Sequence, residues 1–236
     1  MIIEITGEPG VGKTTVLREI YDKIKSKPIL FSDDLVLKHF KLNFIAPVFL
    51  RRILTDILLF LMFLPHFKKY KALLFSTIKG LKDTNESKRF KMNILRNTIL
   101  KFGRFEFISK YFTQKIVLVD EGISHIPFNL IDYTGRRNID PESIFTPLAT
   151  VVSQIKVIIL HQKLINISHR LARRGHKRIK QGKDYSLEQF LHRNSQLVEA
   201  YRGMPAGIFL SKNMLELDDK IDYESIIHFF ERTIEK

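Results

Sequence analysis

The residues predict an α/β domain built on a parallel sheet flanked by helices, a three-layer α/β/α arrangement, and three runs carry that prediction. Met1-Ile2-Ile3-Glu4-Ile5 leads into Gly7-Glu8-Pro9-Gly10-Val11-Gly12-Lys13-Thr14, Lys115-Ile116-Val117-Leu118-Val119 ends in Asp120-Glu121-Gly122, and Lys156-Val157-Ile158-Ile159-Leu160 follows a Pro-rich stretch. Continuous apolar, β-branched runs of this length read as strands buried on both faces, which is how parallel sheets covered by helices appear in sequence. With 236 residues, no repeats and no linker composition, a single domain over residues 1–236 is expected, with one insertion.

Composition narrows the classes of function. There is no cysteine, so neither disulfides nor thiolate metal sites are available, and a reducing cytoplasm is the expected compartment. The first strand begins so early that no signal peptide is expected before Gly7. The net charge is +14, and two segments supply the excess: residues 41–115 hold 16 basic against 4 acidic residues, and residues 161–183 hold 8 against none. Such fields attract anions, whether nucleotides, nucleic acid or an acidic membrane surface.

The first strand ends in G-x-x-x-x-G-K-[ST], placed after a strand and before a helix from Thr14 to about Lys25, as a phosphate-cradling loop requires. Its glycines turn backbone N–H groups inward, and the positive end of the following helix adds to the cavity for phosphate oxygens. Glu8, Pro9, Gly10, Val11, Gly12, Lys13, Thr14 and Thr15 are therefore the candidate nucleotide-binding residues. Lys13 reaches the β- and γ-phosphates, and Thr14 holds Mg²⁺.

A second strand is expected at Pro28-Ile29-Leu30-Phe31, ending in Ser32-Asp33-Asp34. Ligands of open parallel sheets bind beyond the carboxyl ends of the strands. Asp33 or Asp34 is a candidate to accept or orient the proton of an attacking hydroxyl, and the other is a candidate N-cap for a helix from Leu35 onward.

Residues 35–112, poor in Gly and Pro and rich in Leu, Phe and Lys, read as several helices inserted between strands. Ile53 to Leu64 is almost wholly apolar and is ended by Pro65. At twelve residues with Asp56 inside, it is too short to span a bilayer, which takes ~20 apolar residues. It reads as a core helix or a wall of a substrate pocket. Arg51 and Arg52 before it, with His66, Lys68, Lys69 and Lys71 after it, leave an interfacial position on an anionic membrane as the alternative. Phe102, Phe105, Phe107 and Phe112, interleaved with Lys101, Arg104 and Lys110, fit either base stacking or packing.

The strand through Val119 delivers Asp120 beside the phosphate loop, where a carboxylate holds Mg²⁺, usually through water. Glu121 then either activates water or contacts an acceptor. Pro127, Gly135, Pro141 and Pro147, with Arg136 and Arg137, signal loops and short helices, with Asp140-Pro141 as a helix start. Lys156 to Leu160 is the fourth strand, and Ile208 to Leu210, starting near Gly207, is expected to be the fifth. Between them, Arg170 and Arg174 stand one helical turn apart on one face and can grip two sides of a polyphosphate.

Together these residues resemble the phosphate-loop (P-loop) NTPase superfamily and, within it, the kinase branch containing thymidylate kinases and deoxynucleoside kinases. In that branch a lid helix with the pattern R-x-x-x-R-G follows the fourth strand, and Arg170-Leu171-Ala172-Arg173-Arg174-Gly175 matches it. Leu187-Glu188-Gln189-Phe190-Leu191, continuing to Ala200-Tyr201, looks like the helix after the lid. The resemblance implies a five-stranded parallel sheet of order 2-3-1-4-5, a lid at about 168–183, and an acceptor-binding role for the insertion at about 35–112. It also implies ATP as donor, with Lys13, Arg170 and Arg174 on the transferred phosphates. Base selection would rest on the loop after the fifth strand, around Ser211-Lys212-Asn213. One departure stands out: after Asp120 those enzymes carry an arginine, in Asp-Arg-Tyr or Glu-Arg-Ser, where this chain has Glu121-Gly122. His176 likewise replaces a lid arginine.

The expected function is an ATP- or GTP-using, Mg²⁺-dependent kinase that moves the γ-phosphate to a nucleoside, a nucleotide or another hydroxyl- or phosphate-bearing acceptor. Catalytic roles fall to Lys13, Asp33, Asp34, Glu121, Arg170 and Arg174, and metal binding to Thr14 and Asp120. The alternatives are a nucleoside-triphosphatase coupled to a protein or nucleic-acid partner, a polynucleotide kinase, and a kinase of a lipid-linked acceptor. A homodimer is compatible with all of them.

Overall fold

A computed structural model describes residues 1–23, 29–82, 87–130, 141–174, 187–205 and 207–217, together with 224, 227–228 and 231–232. Five strands form one sheet: β1 (Ile2–Gly7), β2 (Ile29–Phe31), β3 (Ile116–Asp120), β4 (Ile155–Gln162) and β5 (Ser211–Leu217). Their order is β2-β3-β1-β4-β5 and every pairing is parallel, as the resemblance implies.

Side chains alternate across this sheet with period two, so each central strand feeds two cores. Ile3, Ile5, Leu118, Ile158 and Leu160 pack with Val16 and Ile20 of α1 (Lys13–Lys23). Val117, Val119, Ile155, Val157 and Ile159 point the other way, into a larger core. That core is closed by α5 (Lys88–Tyr111), the short helices α6 (Ile126–Leu130), α7 (Pro141–Phe145) and α8 (Ala149–Val152), and α10 (Leu187–Gly203). A third, smaller cluster joins α9 (Leu164–Arg174) to α10 through Ile167, Leu171, Phe190 and Leu191. Helices thus cover both faces of the sheet, which is the three-layer architecture expected.

Between β2 and β3 the chain forms α2 (Ser32–His39), α3 (Val48–Phe63), α4 (Phe67–Lys82) and α5. Their inner faces are joined by rings: Tyr70 stacks on Phe102 at 4.1 Å, and Phe63 lies beside both. Phe102, Phe105 and Phe107 are buried, so they pack the core and present no face to a base. Gly103 is set by α3, because a Cβ there would run into the Leu59 carbonyl oxygen. Glu106, buried between α4 and α5, accepts hydrogen bonds from Tyr70 and Lys69.

Three expectations are corrected. Helix α2 starts directly at Ser32 with Phe31 as its N-cap, so Asp33 and Asp34 lie in its first turn and neither caps it. The strand runs into the helix without the loop residue that a side-chain cap needs. The fifth strand is Ser211–Leu217, not Ile208–Leu210, and Ser211-Lys212-Asn213 therefore belong to the strand and not to a loop after it. As an edge strand paired only with β4, it needs no continuous apolar run. Lys212 reaches back to the carbonyls of Tyr201, Arg202 and Met204, capping the end of α10. Helix α3 is not a core helix throughout: Leu59 and Phe63 are buried while most of its remaining apolar residues face outward. Of the two readings of the aromatic run, packing holds for Phe102, Phe105 and Phe107.

Candidate active site

The phosphate loop lies between β1 and α1 at the carboxyl end of the sheet. Gly7, at φ +138°, is the position where nothing else fits, because a Cβ would meet the carbonyl oxygen of Leu160 in β4. The loop closes with the Val11 N–H donating to Glu8 at 3.3 Å, and the amides of Thr15 and Val16 donate to Gly12 at 3.0 Å as α1 begins. Thr14 and Thr15 are exposed at the start of that helix.

Lys13 is buried, and each of its neighbours is an acceptor. Its Nζ donates to the carbonyls of Gly7 at 3.1 Å and Glu8 at 3.0 Å and pairs with Glu121 at 3.2 Å. Glu121 follows directly on β3 and has a left-handed backbone, φ 53°. Burial would raise its carboxyl pKa, but His125, Lys13 and Lys101 together outweigh that and hold it well below the usual carboxylate range. With 43% of the side chain accessible, water screens part of this attraction.

The parallel register sets Asp120 opposite Ile5, and alternation places it on the α1 face of the sheet. Thr14 stands at the head of the same helix, so both oxygen-bearing side chains flank the loop from one side. The residues after Asp120 are held from several elements. Glu4 of β1 is buried, and its carboxylate accepts from the amides of Ile123 at 2.9 Å and Ser124 at 2.6 Å. Burial raises its pKa, while the hydrogen bonds from Ser124 and Ile123 pull it back down. Lys101, from α5, donates to the carbonyls of Glu121 and Gly122. Thr6 Oγ1 meets His125 Nδ1 at 3.0 Å, and the Tyr201 hydroxyl of α10 donates to Ser124. Gly122 fits only glycine, since a Cβ would enter the Glu4 carboxylate.

Helix α9 packs on the loop from above. A Cβ on Gly10 would touch Leu171 at 3.0 Å and Ile167 at 3.4 Å, and Arg170 Nη1 donates to the Val11 carbonyl at 3.1 Å. On the other side His161 of β4 meets the buried Glu8 carboxylate at 2.9 Å, and that hydrogen bond raises the imidazole pKa.

Lys13, Glu121, Asp120, Thr14 and Arg170 are thus gathered around one loop. Asp33 and Asp34 begin α2 at the carboxyl end of β2, and their side chains lie outside the described residues, as does that of Arg174. The segment expected to form a lid beyond it, with Gly175 and His176, also lies outside them, as do Gly135, Arg136, Arg137 and Asp140. Sequence reasoning missed Glu4, Thr6, Lys101, His125, His161 and Tyr201. The one available signal was Glu4, a lone carboxylate inside an apolar strand, which demands a buried partner.

The chain matches no family model and no curated protein sequence. Among solved structures it is similar to deoxyadenosine kinase from M. mycoides with bound dATP, at TM-score 0.50 and 17% identity over 100% of both chains. The same kinase with dCMP and dCDP gives TM-score 0.47 at 18% identity over 100% of this chain and 99% of that one. Shikimate kinase from Bacteroides thetaiotaomicron gives 0.42 at 13% over 100% and 99%. The likeness to the dATP-bound structure is one of fold, and it agrees with the strand order and loop already described: this chain is folded as a deoxynucleoside kinase-like P-loop kinase is.

Proposed function

We propose that this chain is a nucleoside-triphosphate-dependent small-molecule kinase working at the loop between β1 and α1. The observation that supports it best is the convergence of two cations on that loop from different elements: Lys13 on the carbonyls of Gly7 and Glu8, and Arg170 on that of Val11. A second cation, on the helix after β4, suits a migrating phosphoryl group whose charge spreads over its oxygens, and dependence on an acceptor is what separates transfer from hydrolysis.

In this reading the loop amides and α1 bind the phosphates, Lys13 and Arg170 neutralise the charge that develops, and Arg174 adds a second guanidinium from the lid. Asp33 or Asp34, at the end of β2, orients the acceptor hydroxyl. A hydroxyl and a carboxylate, Thr14 and Asp120, form the oxygen donor set that Mg²⁺ takes together with water and phosphate oxygens, so these residues fit that ion. When bound, Mg²⁺ would draw charge from the phosphate oxygens. The helices between β2 and β3 are read as the acceptor side, and residues 1–236 as one kinase domain with a lid at about 168–183. Because the matched structure of similar fold holds dATP, deoxynucleosides and their monophosphates are the first acceptors to test, with ATP and GTP as donors.

The second reading is a triphosphatase. It is favoured by Glu121, which stands in the place of the acceptor-contacting arginine and whose carboxylate, kept ionised 3.2 Å from Lys13, can orient a water. Transfer of labelled γ-phosphate to an acceptor panel separates the two. The kinase reading expects acceptor-dependent turnover that Lys13→Ala lowers by about 10²–10³-fold. Turnover in water alone, unchanged by every acceptor, would overturn it.

A further inference from the structure

The outer face of α3 is apolar and bare. Phe49, Leu50, Ile53, Ile57, Phe60 and Leu61, with Leu64 just beyond the helix, recur at helical spacing along one side, and Phe49 is 71%, Ile57 48% and Leu61 50% exposed. No charge interrupts this stripe: Asp56, at its border, is paired with Arg96 of α5. Leu59 and Phe63 of the same helix are buried against α4 and α5, so the helix is already anchored and the stripe is a second, unused face.

The charges around the stripe identify what covers it. Residues 41–82 carry eight Lys and Arg and a single acidic residue, Asp56. Arg51 and Arg52 stand in the first turns of α3, and Lys68 and Lys71 are exposed just past its far end, at the start of α4. Phe67 and Phe75 are exposed on α4 among these lysines. A second copy of the chain laid on the stripe would meet like charge in either direction: antiparallel, Arg52 faces the partner lysines, and parallel, each end faces itself. An acidic protein surface could satisfy the ends but supplies no apolar layer for the middle. A lipid surface with anionic headgroups supplies both, and amphipathic helices with basic borders lie in such an interface with the apolar face sunk about 5–10 Å. Among the described residues no helix is long and apolar enough to cross a membrane, so the contact is a peripheral one.

We propose that the outer face of α3, with its basic ends, docks this protein on an anionic membrane surface. This docking does not depend on the kinase reading and is measured without nucleotide.

The test is co-sedimentation with phosphatidylglycerol-containing vesicles and with neutral phosphatidylcholine vesicles. The expected result is binding to the anionic vesicles that weakens as salt is raised, with little binding to the neutral ones. Ile57→Glu with Leu61→Glu, both at exposed positions, should abolish it while the thermal melt is retained. Arg52→Gln, Lys68→Gln and Lys71→Gln together should weaken it on the order of a hundredfold, at roughly fivefold per basic residue. Should the first pair unfold the chain, this triple variant carries the test alone. Failure of the wild type to sediment with anionic vesicles would overturn the proposal, as would wild-type binding by either variant. So would a dimer in light scattering that the Glu pair dissolves, which would assign the stripe to a second copy.

Discussion

Gly122 is a residue whose meaning lies in another strand. Glu4 of β1 explains why this position cannot carry even an alanine without disturbance: the two Glu4 oxygens occupy the space and bind the next two amides. Gly122→Ala should therefore cost about 1–3 kcal/mol, as overpacking usually does. In a Glu4→Ala background the same change should cost less, because the obstructing carboxylate is gone, and the non-additivity is readable by denaturant titration of the four proteins. Lys101 offers a pH test of the same clamp. Burial draws its pKa from 10.5 down to about 8, against the upward pull of Glu121 and Glu4. Between about pH 8 and 10.5 the unfolded chain thus holds a proton that the folded chain has released, and stability from this group rises with pH across that window. Replacing it by Met removes the slope. The gap between wild type and Lys101→Met should shift toward the wild type as pH is raised from 8, measured by melting temperature.

At the scale of elements, strands covered on both faces were legible and one-sided elements were not. The runs in β1, β3 and β4 have one neighbour on each side and helices above and below, so their apolar continuity is dictated by burial and shows in sequence. Edge strand β5 escapes that demand. Its Ser211-Lys212-Asn213 start looks like a loop because Lys212 spends its charge on the end of α10, which no local pattern encodes. Helix α3 misled in the opposite sense: apolar on two faces, it looked like core although only the Leu59 and Phe63 side is covered. Helix α9 was legible from its arginine spacing, and its position is now specific, with Ile167 and Leu171 against Gly10 and Arg170 on Val11. If Arg170 serves phosphoryl transfer from there, Arg170→Ala should slow single-turnover transfer by about 10³-fold or more. Arg170→Lys should recover little of the loss, because a point charge does not reproduce the guanidinium fork. A rate unchanged by either substitution would leave Arg170 as a packing residue.

For the molecule as a whole, the site residues that sequence could name are those whose chemistry is local, namely the loop and the acidic strand end. Those it could not name act across long separations: Glu4 on Ile123 and Ser124, Glu8 on His161, Tyr201 on Ser124. These contacts tie β1, β4 and α10 to the turn after β3, Lys101 adds α5, and the third core adds α9. A ligand seated on the loop would accordingly be felt by most of the fold. Linkage sets the size of the response: a ligand at a hundred times its Kd adds about 2.7 kcal/mol to the folded state, which for a chain of this length is an upward shift of about 5–10 °C in Tm. Mg·ATP or Mg·GTP should produce that shift in the wild type and little of it in Lys13→Ala. The variant's own Tm without nucleotide separates the two roles of Lys13. Its ammonium satisfies two buried carbonyls and Glu121, so Lys13→Ala should also be less stable in the absence of any ligand. A lowered baseline with a full nucleotide shift would make Lys13 a structural staple of the loop. A lowered baseline with the shift abolished is the outcome expected of a residue that holds the loop together and also binds the phosphates.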